Sequence, residues 1–408
     1  MNKIEGLIAE LCPSGVEYRA IGEFGELVRG NGMPKSDFVE QGVGCIHYGQ
    51  IYTHYGTWAT ETISFVSPEK AKRLAKVDPG DLIITNTSED VGGVCKAVAW
   101  IGKSQIVTGG HATVLKHDQN SKYISYYMQT PNFFIEKKKR AMGAKVIDVS
   151  AKNLAKIKIP IPPLEVQHEI VRILDTFSEL EAELEAELEA RRKQYEYYRE
   201  RLLSFSDGPK VRYMSIGEFG ELVRGNGIQK SDFTESGVGC IHYGQIHTHF
   251  GVYAAKTKTF VNPKFATRLR KANKGDLVIA TTSEDDGGVA KAVAWIGDKR
   301  VAVSTDTYIL QHPHNPKYLS YFFETEFFRK QKKPLITGTK VRRISGKNLA
   351  KIKIPVPPLE IQHEIADILD KFNALVNDLS IGLPAEINAR RKQYEYYRDR
   401  LLTFKEAA

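Results

Sequence analysis

Apolar and polar positions alternate along this chain with two distinct periods. GDLIITNTS (80–88) and VCKAVAWIG (94–102) are β-branched and apolar, bounded by Gly, Asp and Asn, and predict strands. SKYISYYMQTPNFFIEKKKR (121–140) has helical spacing interrupted at Pro131. NLAKIKIPIPP (153–163) alternates apolar residues with lysines, the pattern of a half-buried strand that ends at the prolines. Beyond Pro163 the period changes. Val166, Ile170, Ile173, Phe177, Leu180 and Leu184 follow 4-3-4-3-4 spacing, the seam of a helix packed on another helix. Residues 164–203 contain no Gly or Pro, so a continuous helix of about 60 Å is expected at roughly 1.5 Å per residue.

The same sequence of patterns then occurs again. IGEFGELVRGNG at 21–32 recurs at 216–227, GVGCIHYGQI at 42–51 recurs at 237–246, KAVAWIG at 96–102 recurs at 291–297, and KNLAKIKIP at 152–160 recurs at 347–355, each offset by 195. The second helical seam is Ile361, Ile365, Ile368, Phe372, Leu375 and Leu379. Units of this size can each hold a core, so the chain reads as a duplicated mixed α and β domain, each copy followed by a helix. ARRKQYEYYRERLLSF (190–205) and ARRKQYEYYRDRLLTF (389–404) are instead offset by 199. The extra four residues lie just before them. Copy one has ELEAELEAELEA (179–190), and copy two has ALVNDLSIGLPAEINA (374–389), where Gly382 and Pro384 are expected to break or kink the helix. Four residues are about one helical turn, or roughly 6 Å.

A length of 408 residues agrees with two cores. Apolar residues at 42% and charged residues at 26% are ordinary for folded protein, and the net charge of +9 directs attention to basic patches and a polyanionic partner. Cys12, Cys45, Cys95 and Cys240 form no Cys-x-x-Cys pair, which points to a reduced, cytoplasmic protein. No stretch approaches the roughly 20 apolar residues of a membrane span, so membrane insertion is not expected.

Catalytic motifs are incomplete. RGNGMPKS (29–36) and RGNGIQKS (224–231) lack the glycine a phosphate loop needs before Lys-Ser, and read as turns presenting Lys35 and Lys230. Glu136 has Gln331 at its matched position, which argues against a metal-dependent nuclease. Glu89-Asp90 recurs as Glu284-Asp285, flanked by Ser88 and Ser283 and by paired glycines, as a hydrogen-bonded turn would. His247-x-His249 and His312-x-His314 have no paired counterparts in copy one and no nearby cysteines, which disfavours zinc. No catalytic centre or bound metal is expected.

Nucleic-acid features are more coherent. Basic runs occupy Lys137 to Arg140 and Arg329, Lys330, Lys332 and Lys333, while Lys145 and Lys340 follow glycines in turns. HYGQIYTHYG (47–56) and HYGQIHTHFG (242–251) bring together His47, Tyr48, Gln50, Tyr52 and His54 in one copy and His242, Tyr243, Gln245, His247 and His249 in the other. Glutamine is a good bidentate reader of adenine.

The paired domains, the IPIPPLEVQHEI (159–170) and IPVPPLEIQHEI (354–365) entries into long helices, and the tandem four-residue repeat together resemble the specificity subunit of type I restriction-modification enzymes, over essentially the whole chain. The resemblance implies an α+β fold: two similar mixed α/β target recognition domains separated by two long antiparallel coiled-coil helices, with a pseudo-two-fold. The expected boundaries are 1–162 and 206–357 for the recognition domains, with helices at 163–205 and 358–404. Each domain is then expected to read one half of a bipartite site in double-stranded DNA. The helices are expected to set the gap and dock two methyltransferase subunits, with restriction/translocase subunits joining a larger complex. S-adenosylmethionine, ATP and magnesium are expected only in those partners.

On this reading the DNA contacts that distinguish the halves lie where the copies differ. These are Tyr52 against His247, Asn86 against Thr281, and His111 against Asp306, beside the shared His54 and His249 and the shared Ser88 and Ser283. Arg191, Arg192 and Tyr197, with Arg390, Arg391 and Tyr396, are the expected partner-docking residues, while Tyr195, Tyr198 and Leu202 fit the helical seam. A stand-alone two-domain DNA-binding regulator is the alternative.

Overall fold

The computed structural model describes residues 2–205 and 211–407. It divides into one unit of Met1–Glu183 with Ile387–Ala408 and another of Leu184–Glu386. The boundary expected at 206 lies outside the described residues.

Each unit is built on two five-stranded mixed sheets. In unit 1 the first runs Gly25–Arg29, Ala112–His117, Leu82–Thr85, Ala97–Trp100, Trp58–Ala59, all antiparallel except the last pair. The second runs Phe38–Val39, Ser64–Val66, Val43–Ile46, Ile106–Thr108, Ala75–Val77. Both faces of the first sheet are covered, which explains why its strands read as continuous apolar runs. Leu82, Ile84, Ala97, Ala99 and Leu115 face the helices, whereas Ile83, Val98, Trp100 and Val114 form the layer beneath with Ile46, Val77 and Ile106 from the second sheet. Unit 2 repeats this strand for strand, with Leu277 and Ile279 on one side and Val278 and Ala280 on the other.

The interrupted helix expected at 121–140 is two helices, Ser121–Tyr127 and Pro131–Lys138. Pro131 stands in the first turn of the second, and Thr130 caps that helix by accepting from the Phe133 amide (3.3 Å). The strand expected over 153–163 is shorter than its alternation suggested. Ser150 caps a helical turn at Ala151–Leu154, so only Lys158–Pro160 is extended, paired with Tyr18–Ala20.

The central helix runs unbroken from Leu164 to Leu202, 39 residues, or roughly 58 Å. Its second-copy counterpart is two helices, Leu359–Asn377 and Leu383–Leu401, separated around Gly382. A side chain on Gly382 would collide with the Ala374 carbonyl, and Pro384 sits in the first turn of the helix that follows. Because the helix ends at Asn377, Leu379 falls off the predicted seam and is exposed.

Helix pairing is antiparallel within each unit. In unit 1, Phe177 stacks on Tyr397 (5.4 Å, 24°), and one turn further along Glu181 meets Arg391 (2.5 Å). In unit 2, Tyr198 stacks on Phe372 (5.3 Å, 23°).

The proline-leucine-acid signature earns its place structurally. Gln167 is buried, donates to the Pro162 carbonyl (2.7 Å) and accepts from the Asn120 amide (3.0 Å); Gln362 does the same with Pro357 (2.7 Å) and Asn315 (2.9 Å). Asp175 accepts from Tyr126 (2.8 Å) and Lys122 (2.7 Å), and Asp370 from Tyr321 (2.7 Å) and Lys317 (2.5 Å). These contacts lock the root of each helix to its globule. Among the described residues, no helix is long and apolar enough to cross a membrane.

Candidate nucleic-acid interface

The strand Thr87–Ser88 organises the candidate face of unit 1. The Thr87 carbonyl accepts from the Tyr52 hydroxyl (2.7 Å), and the Thr87 hydroxyl is hydrogen-bonded to His111 Nδ1 (3.1 Å). Thr87 and Ser88 pair with Asp148 and Ile147, which end the hairpin carrying Lys145. Tyr48 lies against His111 (5.0 Å between ring centroids) and against His47 (4.5 Å). His111 has φ of 63°, a left-handed conformation beside Gly109-Gly110 that turns its ring onto this row. Lys35, exposed at the edge, is near enough to His47 to affect its ionisation.

Unit 2 builds the same face with different groups. His247 occupies the place of Tyr52, and its Nε2 donates to the Thr282 carbonyl (2.9 Å), preserving the link to the strand. Ser283 pairs with Arg342, at the base of the hairpin carrying Lys340. Tyr243 packs on His242 (4.5 Å), near Lys230, and its amide donates to Ser304 (3.0 Å). Asp306 stands where unit 1 has His111, so an acid replaces a base at one position on the face. His54 and His249 are exposed at the ends of their helices, against Tyr55 and Phe250.

Six predicted contact residues are engaged inside the protein. Gln50 accepts from the His47 amide (2.9 Å) and donates to Ser64 (2.6 Å); Gln245 accepts from His242 (3.1 Å) and donates to Thr259 (2.9 Å). Both glutamines complete capping boxes for the helices Tyr48–Thr53 and Tyr243–Thr248. Asn86 is buried, donating to Val149 (3.0 Å) and accepting from Thr113 (2.9 Å). Thr281 is buried, with its backbone bonded to Asp306 and Ile344. His47 and His242 cap the same helices by accepting from the Gly49 (3.1 Å) and Gly244 (3.2 Å) amides through Nδ1. Burial first, then the charge of Lys35 or Lys230, lowers their pKa values, which keeps that nitrogen free to accept.

Sequence reasoning missed one pair of residues. Lys137 and Lys332, read as members of basic runs, are 4% and 3% exposed. Lys137 donates to the Gly92 (2.8 Å) and Val94 (2.7 Å) carbonyls, and Lys332 to those of Gly287 (2.8 Å) and Val289 (2.5 Å). They clamp the acidic-glycine turn that follows Ser88 or Ser283, in which Asp90 accepts from Gly93 (2.7 Å) and Asp285 from Gly288 (2.6 Å). Cys95 and Ala290 leave that turn with φ near 60°. Burial, then nearby Arg329, pushes Lys332 down to about 8. The available signal was spacing: Lys137 is four residues after buried Phe133, on the inward face of its helix. Other members of the run are tied up differently, Lys139 (2.5 Å) and Arg140 (2.7 Å) both on Glu136.

On the helices, Tyr195 is buried and Tyr198 and Leu202 half-buried, while Tyr197, Tyr396, Arg192 and Arg390 are exposed. Arg191 bonds to Glu187 (3.3 Å) and Gln194 (2.9 Å), and Arg391 is engaged by Glu181. Buried Arg199 pairs with Glu324 (3.1 Å) and borders a cleft of about 770 Å³ that also takes in Tyr243, His247, Ser283 and Val341. In unit 1 the matched Arg398 binds Asp399 instead (2.8 Å), and Gln129 replaces Glu324.

Comparison with known proteins agrees with this duplicated architecture. The family model for the type I restriction modification DNA specificity domain matches twice, at residues 13–190 and 210–389. The specificity subunit of the Escherichia coli type I restriction enzymes EcoR124I and EcoR124II is 34% identical over 304 residues, spanning 69% of this chain and 70% of that one. A Haemophilus influenzae protein provisionally named a type I restriction enzyme specificity subunit is 32% identical over 323 residues, 76% of this chain and 79% of its own. A solved structure from a study of type I restriction-modification complex assembly superposes with a TM-score of 0.62 at 15% identity, covering 96% of this chain and 98% of that one. The Mycoplasma genitalium specificity subunit gives 0.51 at 13%, covering 95% and 96%. At these identities the structures bear on the fold alone.

Proposed function

The chain belongs to the type I restriction-modification DNA specificity family, and from that premise we propose that each unit reads one half of a bipartite DNA site through the face around its Thr87–Ser88 or Thr282–Ser283 strand. The observation that carries this reading is the convergence, twice over, of an exposed lysine, a tyrosine, a ring bonded to the strand and a lysine-tipped hairpin. Lys35, Lys145, Lys230 and Lys340 serve phosphates; Tyr48, Tyr52, Ser88 and His111, and Tyr243, His247, Ser283 and Asp306, face the bases. Gln50, Gln245, Asn86 and Thr281 hold the face in shape. In this reading the chain is the non-catalytic recognition part of a larger enzyme. The exposed Arg192, Tyr197, Arg390 and Tyr396 belong to surfaces that dock methyltransferase subunits, and S-adenosylmethionine, ATP and magnesium serve those and the restriction subunits.

Because the shared positions outnumber the changed ones, the half-sites are expected to be related, arranged as an imperfect inverted repeat. Single-molecule methylation mapping in cells carrying the whole system tests this. The expected result is one bipartite motif with related halves; two unrelated halves, or no motif, would overturn the reading.

A further inference from the structure

Each recognition face carries an apolar point that the contacts above leave unexplained. In unit 1 the hairpin is closed at its base by Met142 and Asp148, which exchange backbone hydrogen bonds of 2.9 and 2.8 Å. In unit 2, Thr337 and Arg343 exchange two of 2.8 Å. Gly143 (φ 103°) and Gly338 (φ 95°) turn the chain so tightly that a side chain there would collide with the Val146 or Val341 carbonyl. At the tips, Val146 is 59% and Val341 48% exposed, and Met142, at the base of the first hairpin, is 67% exposed. Turn tips ordinarily carry Gly, Asn, Asp or Ser, so an exposed β-branched residue at the same place in both units is a candidate contact point.

Charge indicates which partner. Lys145 and Lys340 directly precede the valines and are exposed, as is Arg343. Arg342 braces the second hairpin, bonding to Asp286 (3.2 Å) and donating to the Gly338 carbonyl (2.9 Å). Val341 also borders the cleft shared by Tyr243, His247 and Ser283, so the tip belongs to the recognition face. An apolar point rimmed by cations matches a pyrimidine C5 methyl flanked by phosphates. A hairpin closed by a single bridge, its arms about 4.8 Å apart before side chains are added, fits the major groove at about 12 Å and not the minor groove at about 6 Å.

We propose that Val146 and Val341 each read a pyrimidine C5 position in the major groove of their own half-site, while Lys145 and Lys340 hold the adjacent phosphate. This rests on the DNA-reading assignment of the two units. The test uses the full chain co-purified with its methyltransferase subunits and duplexes in which each thymine of the site is replaced singly by uracil and each cytosine by 5-methylcytosine.

One position per half-site is expected to change affinity about fourfold, the value of one methyl group. Val341→Ala is expected to remove the response in one half only, and Val146→Ala in the other; Val341→Thr, which keeps the side-chain volume, guards against a folding artefact. Lys340→Ala should weaken all sequences alike and lower the salt slope by about one. Specific binding that ignores C5 methyls everywhere, or a response that survives both valine variants, overturns the valine assignment alone. Absence of any sequence-specific binding by the wild-type complex overturns the DNA-reading assignment itself.

Discussion

At the scale of single residues, side chains that look like base readers divide into those that face outward and those that hold the face. His242 illustrates the second kind, since its Nδ1 must stay unprotonated to cap the following helix. Its pKa is lowered by burial first, so the folded state binds fewer protons than the unfolded chain just below the ordinary value of 6.5. Its stabilising contribution is therefore complete above about pH 6.5 and is lost as pH falls through the folded value. His242→Asn, which retains a capping oxygen without a titrating ring, is expected to flatten that part of the stability–pH curve in urea titrations.

Lys332 works with the same sign over a higher window. With the folded value near 8 against an ordinary 10.5, stability relative to Lys332→Met should rise between those pH values and fall back as pH drops toward 8. At pH 7 the methionine variant leaves the buried Val289 carbonyl without its donor, at about 1 to 3 kcal/mol, while the part-buried Gly287 carbonyl can turn to solvent. Chemical denaturation at pH 7 and pH 9.5 would show both effects.

At the scale of elements, the repeated ARRKQYEYYR segments act through stacked rings. Tyr198 on Phe372 and Tyr397 on Phe177 occupy equivalent places in the two units, so each copy of the motif closes the helix pair of its own unit. Phe372→Ala is expected to lower stability by about 2 to 3 kcal/mol, less than a fully buried phenylalanine because the ring is half-exposed. Differential scanning calorimetry would detect it as a lowered transition. An unchanged transition would mean that the helix pair is held elsewhere. The four-residue excess in copy two is equally an element-level matter: it is spent on the break at Gly382, which the uninterrupted Glu-Leu-Glu-Ala run of copy one does not need.

At the scale of the whole molecule, the proposed reading makes the two related units readers whose selectivity depends on spacing as well as on contacts. Removing one Glu-Leu-Glu-Ala unit shortens the central helix by roughly 6 Å. Since base pairs are about 3.4 Å apart, the nonspecific gap is expected to shrink by one or two base pairs, or activity to be lost. Methylation mapping of the deletion strain distinguishes these outcomes from an unchanged gap in a fully active variant, which would remove the spacing role from this helix.

Duplication, the strand cores, the long central helix and the break in its second-copy counterpart were all legible in the sequence, because periodicity and Gly/Pro placement are local consequences of backbone geometry. So was the family, through the proline-leucine-acid signature. Tertiary structure alone decided which polar side chains remain available. HYGQ reads the same whether glutamine points at DNA or back at the amide of its own capping histidine, and Lys137 reads as one more surface cation until Phe133 is seen to carry it inward. The physical reason is that a polar group's function depends on whether its hydrogen-bonding capacity is already satisfied. Its partners come from residues distant in sequence, such as Ser64 for Gln50 and Val149 for Asn86, and only the folded chain brings them together.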